Sequence, residues 1–183
     1  MIQLAHRHLF GVLLLAAALI VCTPGTDDGD VLPNVAVLAA LQEPSVDYSL
    51  VITGLWSAAT HSGGTLGFPA NAHFSTVFGG THSSAHSFWS PGTTASEGIK
   101  QMAEGGAVDP LEAEMRAVGV EVNINAGFLA ASPGTLSTTF SARRSTPCVT
   151  IVSMIAPSPD WFVGERCLDL LAASTDEFVQ SRS

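Results

Sequence analysis

Val149-Thr150-Ile151-Val152-Ser153-Met154-Ile155-Ala156 runs into Pro157-Ser158-Pro159-Asp160-Trp161-Phe162-Val163-Gly164, and this junction decides the fold. The first octet is apolar and β-branched, which predicts a strand. Prolines 157 and 159 lack the N–H that a sheet ladder needs, so the strand must end there. A carboxylate, Asp160, then follows a stiff turn and precedes two bulky aromatics. The aromatics anchor the backbone in a core and hold Asp160 at a sheet edge. Such a carboxylate suits a bound cation or a partner, and an Asp beside Pro is also an ordinary turn former.

Upstream, Tyr48 to Trp56 alternates β-branched and aromatic residues and reads as a strand. Ser57 to Pro69 is a Gly/Ser/Thr-rich loop, Asn71 to Phe78 a second strand ended by Gly79-Gly80, and Ser87-Phe88-Trp89 a short third strand. Helical spacing then takes over: Ser96 is placed as an N-cap before Ile99, Met102 and Ala103, and Gly105-Gly106 closes the helix. A second helix starts after Asp109 with Pro110 at its first position and stops at Gly119. Val120 to Ile124, Leu136 to Ala142 and Cys148 to Ala156 are β-rich, and Trp161 to Val163 and Cys167 to Leu170 carry the last strand signals. Strands dominate around one helical insertion, which predicts a mainly β, antiparallel sandwich with one or two short helices at about 95–118. No internal repeat is present.

A chain of 183 residues holds one domain with a proper core. Its formal charge of −9 makes it a poor match for phosphate backbones, so nucleic acid is excluded as a partner class. Cations and basic protein surfaces fit better. His6, Arg7 and His8 form a weakly basic n-region ahead of the apolar run Leu9 to Cys22, which is shorter than the roughly 20 residues a membrane span needs. Residues 1–25 therefore read as a signal peptide and the chain as exported, with no transmembrane span after cleavage. A lipid anchor on Cys22 fits less well, because Val21 stands where a small residue is expected. Residues 26–46, with Asp27, Asp28 and Asp30 and several prolines, read as a solvated linker, 47–170 as the domain and 171–183 as a tail. Cys148 and Cys167 either pair in an oxidising compartment or stay as two buried thiols.

Three constellations bear on chemistry. His61, His73, His82 and His86 lie close in sequence, yet neither HExxH nor a Cys or Glu at ligand spacing joins them. They define the rival reading, an exported metal-dependent hydrolase. Serines are plentiful, but no nucleophile elbow supports a triad. Glu97, Glu104, Asp109, Glu112 and Glu114 alternate around helix surfaces, as solvated charge does. For calcium, which takes six to eight oxygens, Asp160 would need help from Ser141, Asp169 and backbone carbonyls.

The ordered region resembles the spondin domain family, the N-terminal module of F-spondin and mindin that also occurs in bacterial exported proteins. The resemblance lies in Tyr48 with Thr53-Gly54-Leu55-Trp56-Ser57, in Ala72-His73-Phe74-Ser75 with Gly79 and His82-Ser83-Ser84, in Ala95-Ser96-Glu97-Gly98 with Ala103-Glu104 and Gly106, and most specifically in Pro157 to Gly164. It implies a C2-like β-sandwich, no catalysis, and adhesion to a cell-surface or matrix component. It also implies a calcium held by three carboxylates, of which Asp160 matches one. Ser141 falls where a second ligand, a Glu, is expected. The third, in a segment of the type YPYDAGTD, has no counterpart. Calcium is thus expected to bind weakly or not at all. The absent final strand implies an open sheet edge, where a strand from a partner would pair.

Overall fold

The computed structural model describes residues 2–6, 43–61, 67–171, 178 and 181–182. Two four-stranded antiparallel sheets form a β-sandwich, as the sequence pattern predicts. The first contains β1 (Ile2–His6), β2 (Ser45–Gly54), β5 (Gly134–Arg143) and β8 (Ser181–Arg182), in the order β5-β2-β1-β8. The second contains β3 (His73–His82), β4 (Glu121–Leu129), β6 (Cys148–Ala156) and β7 (Phe162–Asp169), in the order β4-β3-β6-β7. Helices α1 (Glu97–Gly105) and α2 (Asp109–Ala117) lie between β3 and β4 in the chain.

The run Cys148–Ala156 is apolar apart from Thr150 and Ser153, as a strand buried on both faces requires. Val149 and Ile151 pack with Tyr48, Leu50, Val77, Ile124 and Phe140 in one core between the sheets. Val152 and Met154 face the other way, into a second core with Phe78, Ile99, Met102, Leu111 and Met115. The helices therefore cover the outer face of the second sheet, and β6 is one of its two inner strands, beside β3.

The boundaries of α1 follow the expected caps, whereas α2 starts at Asp109 itself, with Val108 in the capping position and no side-chain cap. The Ser96 hydroxyl accepts the Ile99 N–H at 3.2 Å, and Gly106 ends α1 with φ of 73°. At Gly98 a Cβ would come within 2.5 Å of Leu111 Cα, so the glycine lets α2 approach α1.

Three sequence expectations need correction. β3 does not end at Phe78 but continues through Gly79-Gly80 to His82. A Cβ on Gly79 would lie 2.0 Å from the Thr150 carbonyl oxygen, so this glycine serves close strand contact and not a turn. Ser87-Phe88-Trp89 is not a strand; Phe88 is buried in the helix-side core. The two last strand signals belong to one strand, β7.

The sheet also recruits segments outside 47–170. β1 pairs with β2 from Ile2↔Ile52 to His6↔Tyr48, and β8 pairs with β1 at Leu4↔Arg182 and Ala5↔Ser181. β1 thus falls within the segment read as a leader, and β8 within the segment read as a tail. The apolar run Leu9 to Cys22 and the acidic group at Asp27 lie outside the described residues. Among the described residues no helix is long and apolar enough to cross a membrane.

Candidate functional site

Ser158 explains how the turn at the opening stretch is built. Its hydroxyl donates to the Ile155 carbonyl and accepts the Trp161 N–H at 3.1 Å, while Ile155 N–H donates to the Trp161 carbonyl at 2.9 Å. The peptide bond Ala156–Pro157 is cis. This closed turn carries Asp160 outward into solvent and sends Trp161 and Val163 to the mouth of a cleft.

The cleft opens between the sheets at this end of the sandwich and has a volume of about 480 Å³. β2 and its continuation supply Ile52, Gly54, Leu55 and Trp56. Phe74, Leu129 and Ile155 form its inner wall, with Trp161, Val163 and Glu165 on the β7 side. Leu55, Trp161 and Val163 are 57%, 58% and 41% exposed. The lining is apolar apart from Thr53, Ser153 and Glu165, the last its one charged member. A concave apolar surface of this size with large exposed side chains at its rim is suited to binding. Trp56 is held in place: its indole N–H donates to His61 Nδ1 at 3.1 Å, its ring meets Phe68 and Phe74 edge-on, and its carbonyl accepts the Ser132 hydroxyl.

Asp160 does not meet the other residues considered as calcium ligands. Ser141 lies on β5 opposite Asp47, and its hydroxyl donates to Asp47 Oδ1 at 2.6 Å. Asn123 ties the Ser141 carbonyl to Thr81, and Arg143 pairs with Glu121, so Ser141 belongs to the end where β3 finishes. Asp160 follows Ala156, which pairs with His73 where β3 begins. Asp169 is also at the Ser141 end, opposite Cys148, with Oδ1 accepting the Leu171 N–H. Asp160 instead shares a small groove with Glu104 and Lys100. Two carboxylates beside an ammonium do not make a calcium shell. Among the described residues no group of three or more His, Cys, Asp or Glu is placed to hold a metal.

The histidines separate as well. His73 Nδ1 bonds the Asn71 carbonyl, and His61 serves Trp56. His82, fully buried, stands at the far end of β3 from His73. Its Nδ1 lies 2.7 Å from the Ser83 carbonyl and its Nε2 2.7 Å from Thr150 Oγ1. The carbonyl can only accept, so Nδ1 carries the proton and neutral Nε2 takes the Thr150 hydroxyl. Burial lowers the His82 pKa; the Ser83 hydrogen bond opposes this and the charge of His86 adds to it. Cys148 and Cys167 are joined in a disulfide across β6 and β7, with Cα atoms 4.4 Å apart. Glu97 and Glu112 are engaged on their own helix surfaces, with Gln101 and Lys100 and with Arg116, but Glu114 is not the solvated charge expected: it is half-buried and crosses from α2 to accept the Gly98 N–H of α1.

Of the two aromatics expected to anchor the turn in a core, Phe162 packs against the helix-side core, whereas Trp161 is exposed and forms one side of the cleft. Its other wall was missed, because the lining is gathered from five strands. The available signal was Leu55-Trp56 at a strand end followed by a glycine-rich loop.

A family model described as Spondin_N matches residues 46–183. Spondin-1 of Mus musculus is 36% identical over 132 residues, covering 67% of this chain and 16% of Spondin-1. Spondin-1 of Homo sapiens gives the same figures. Spondin-2 of Homo sapiens is 34% identical over 128 residues, covering 67% of this chain and 39% of Spondin-2. The chain thus spans a small part of Spondin-1 and about two-fifths of Spondin-2.

Proposed function

Because the chain belongs to the Spondin_N family, we propose that it is an exported, non-catalytic binding module acting in adhesion at a cell surface or in an extracellular matrix. The observation that carries this reading is the apolar cleft at the Asp160 end, rimmed by exposed Leu55, Trp161 and Val163. A soluble domain that leaves two large apolar side chains more than half exposed at one concave site presents a surface for a partner. Acidic groups at and beside the rim, Glu165 and Asp160, select a partner with basic character.

Calcium has a minor place in this proposal. Asp160 has neither Ser141 nor Asp169 beside it, so the ion binds feebly or not at all. Even a millimolar extracellular-type site would add only about 0.4 kcal/mol at about 1 mM calcium. Millimolar calcium is expected to leave the melting temperature unchanged relative to chelator. A clear rise that Asp160→Asn abolishes would restore the ion to the function.

The experiment that tests the class of function uses the exported protein. It is expected to bind saturably to the matrix or surface of the producing cells, to hydrolyse no ester or peptide substrate and to carry no stoichiometric zinc. Zinc at one per chain together with hydrolysis would favour the histidine-based hydrolase instead.

A further inference from the structure

The export reading and the sheet pairing together have a consequence for β2. β1 supplies a neighbour to β2 at five register positions, Ile2↔Ile52 to His6↔Tyr48, and those residues lie in the leader segment. Leader removal strips that neighbour away and leaves a row of N–H and C=O groups on β2. It also removes the partner of β8, which is paired to β1.

The bared edge lacks the devices that normally protect one. Ser45–Gly54 contains no proline, lysine or arginine, and its ten pairs with β5 run without a bulge. Directly opposed residues of an antiparallel pair share a face. Tyr48 and Leu50 are fully buried and face the core between the sheets. An incoming strand therefore places its residues opposite Leu50 and Ile52 inward. Two positions further, opposite Gly54 and beyond the register of β1, its side chain enters the cleft between Phe74, Leu129 and Trp161. On the outer face, the residue opposite Asp47 meets an exposed carboxylate.

We propose that the β2 edge from Asp47 to Gly54, continuous with the cleft, is a strand-acceptor site filled in the exported protein by an extended segment of a partner protein. That segment runs antiparallel to β2, is apolar at alternate positions and basic opposite Asp47. The leader strand is a stand-in that shows the slot accepts such a strand. A second copy of this chain is the poorer occupant, because a formal charge of −9 sets copies against each other. The inference rests on the export reading and names the partner class and the site for it.

The test starts with N-terminal sequencing of the exported protein, which is expected to begin beyond His6. A synthetic peptide with the sequence of residues 2–8, Ile-Gln-Leu-Ala-His-Arg-His, is then added in trans. Expected are one-to-one binding and amide exchange slowed about tenfold or more within Tyr48–Ile52, the span that residues 2–6 face. A scrambled peptide should do neither. Asp47→Asn, a mild change to an exposed side chain, should weaken the peptide about threefold at low salt, in keeping with a surface ion pair. An exported protein that retains residues 2–6 would overturn the proposal. So would a folded exported protein whose β2 amides the peptide leaves unprotected, or a dimer whose β2 amides become protected with rising protein concentration. Failure of the peptide alongside intact matrix binding rejects this inference and spares the binding role; absence of export rejects both.

Discussion

Neutral His82 is built into the join of three strands. Cys167 N–H donates to Thr150 Oγ1, the Thr150 hydroxyl donates to His82 Nε2, and His82 Nδ1–H donates to the Ser83 carbonyl. Protonation would turn Nε2 into a donor and force the Thr150 hydroxyl to reverse. Burial already disfavours the charge, so the folded pKa lies below the ordinary value of 6.5 that applies to the unfolded chain. Well above pH 6.5 neither state carries the proton and stability is constant. As pH falls below that value the unfolded chain gains the proton first, and stability declines until the folded pKa is reached. Denaturant unfolding from pH 7.5 to pH 5 is expected to show this decline, and His82→Gln to flatten it. A wild-type curve flat across that window would contradict the assignment.

At the scale of elements, β6 and β7 are tied twice, by their ladder and by the disulfide between Cys148 and Cys167, 19 residues apart. Closing a loop of that length restricts the unfolded chain, worth about 3 kcal/mol. The double variant Cys148→Ala, Cys167→Ala should lose about that much in denaturant unfolding without losing the β-rich circular dichroism spectrum. A loss below about 1 kcal/mol would show that the ladder alone sets the stability here.

The elements also show what was legible beforehand. β6 was readable because a strand buried on both faces needs a predominantly apolar, β-branched run, and Pro157 marks its end. The helices were readable from Ser96, Pro110 and the glycines that follow each. β3 was cut short because Gly79-Gly80 has the composition of a turn, whereas its true cause, the Thr150 carbonyl of the neighbouring strand, is a tertiary contact with no local trace. Phe88 and Trp89 have strand composition, but Phe88 is placed by the helix-side core. β1 was hidden, since a short segment beside the apolar run Leu9 to Cys22 carries no pattern that announces pairing between forty and fifty residues away. For the site, the Pro157–Gly164 turn could be found by eye. The separation of Asp160 from Ser141 and Asp169 could not, because it depends on strand direction and register.

For the molecule as a whole, the two ends of the sandwich differ in character. One end is polar and holds the Arg143–Glu121 ion pair, the Asp47–Ser141 bond and the buried His82, bonded to Thr150 and the Ser83 carbonyl. The other end leaves Leu55, Trp161 and Val163 open around an apolar cleft. The apolar anchors of a partner belong to the second end. The most direct measurement is a binding isotherm of the exported protein on the producing cells' matrix, run beside the double variant Leu55→Ser, Trp161→Ser. Both changes are at exposed rim positions, so the melting temperature should stay within about 3 °C of the parent. The account predicts saturable binding by the parent and a loss of tenfold or more in affinity for the variant, in keeping with truncation of one aromatic and one aliphatic anchor together worth about 1.4 kcal/mol or more. Equal affinity of the two proteins, with the variant folded, would contradict it.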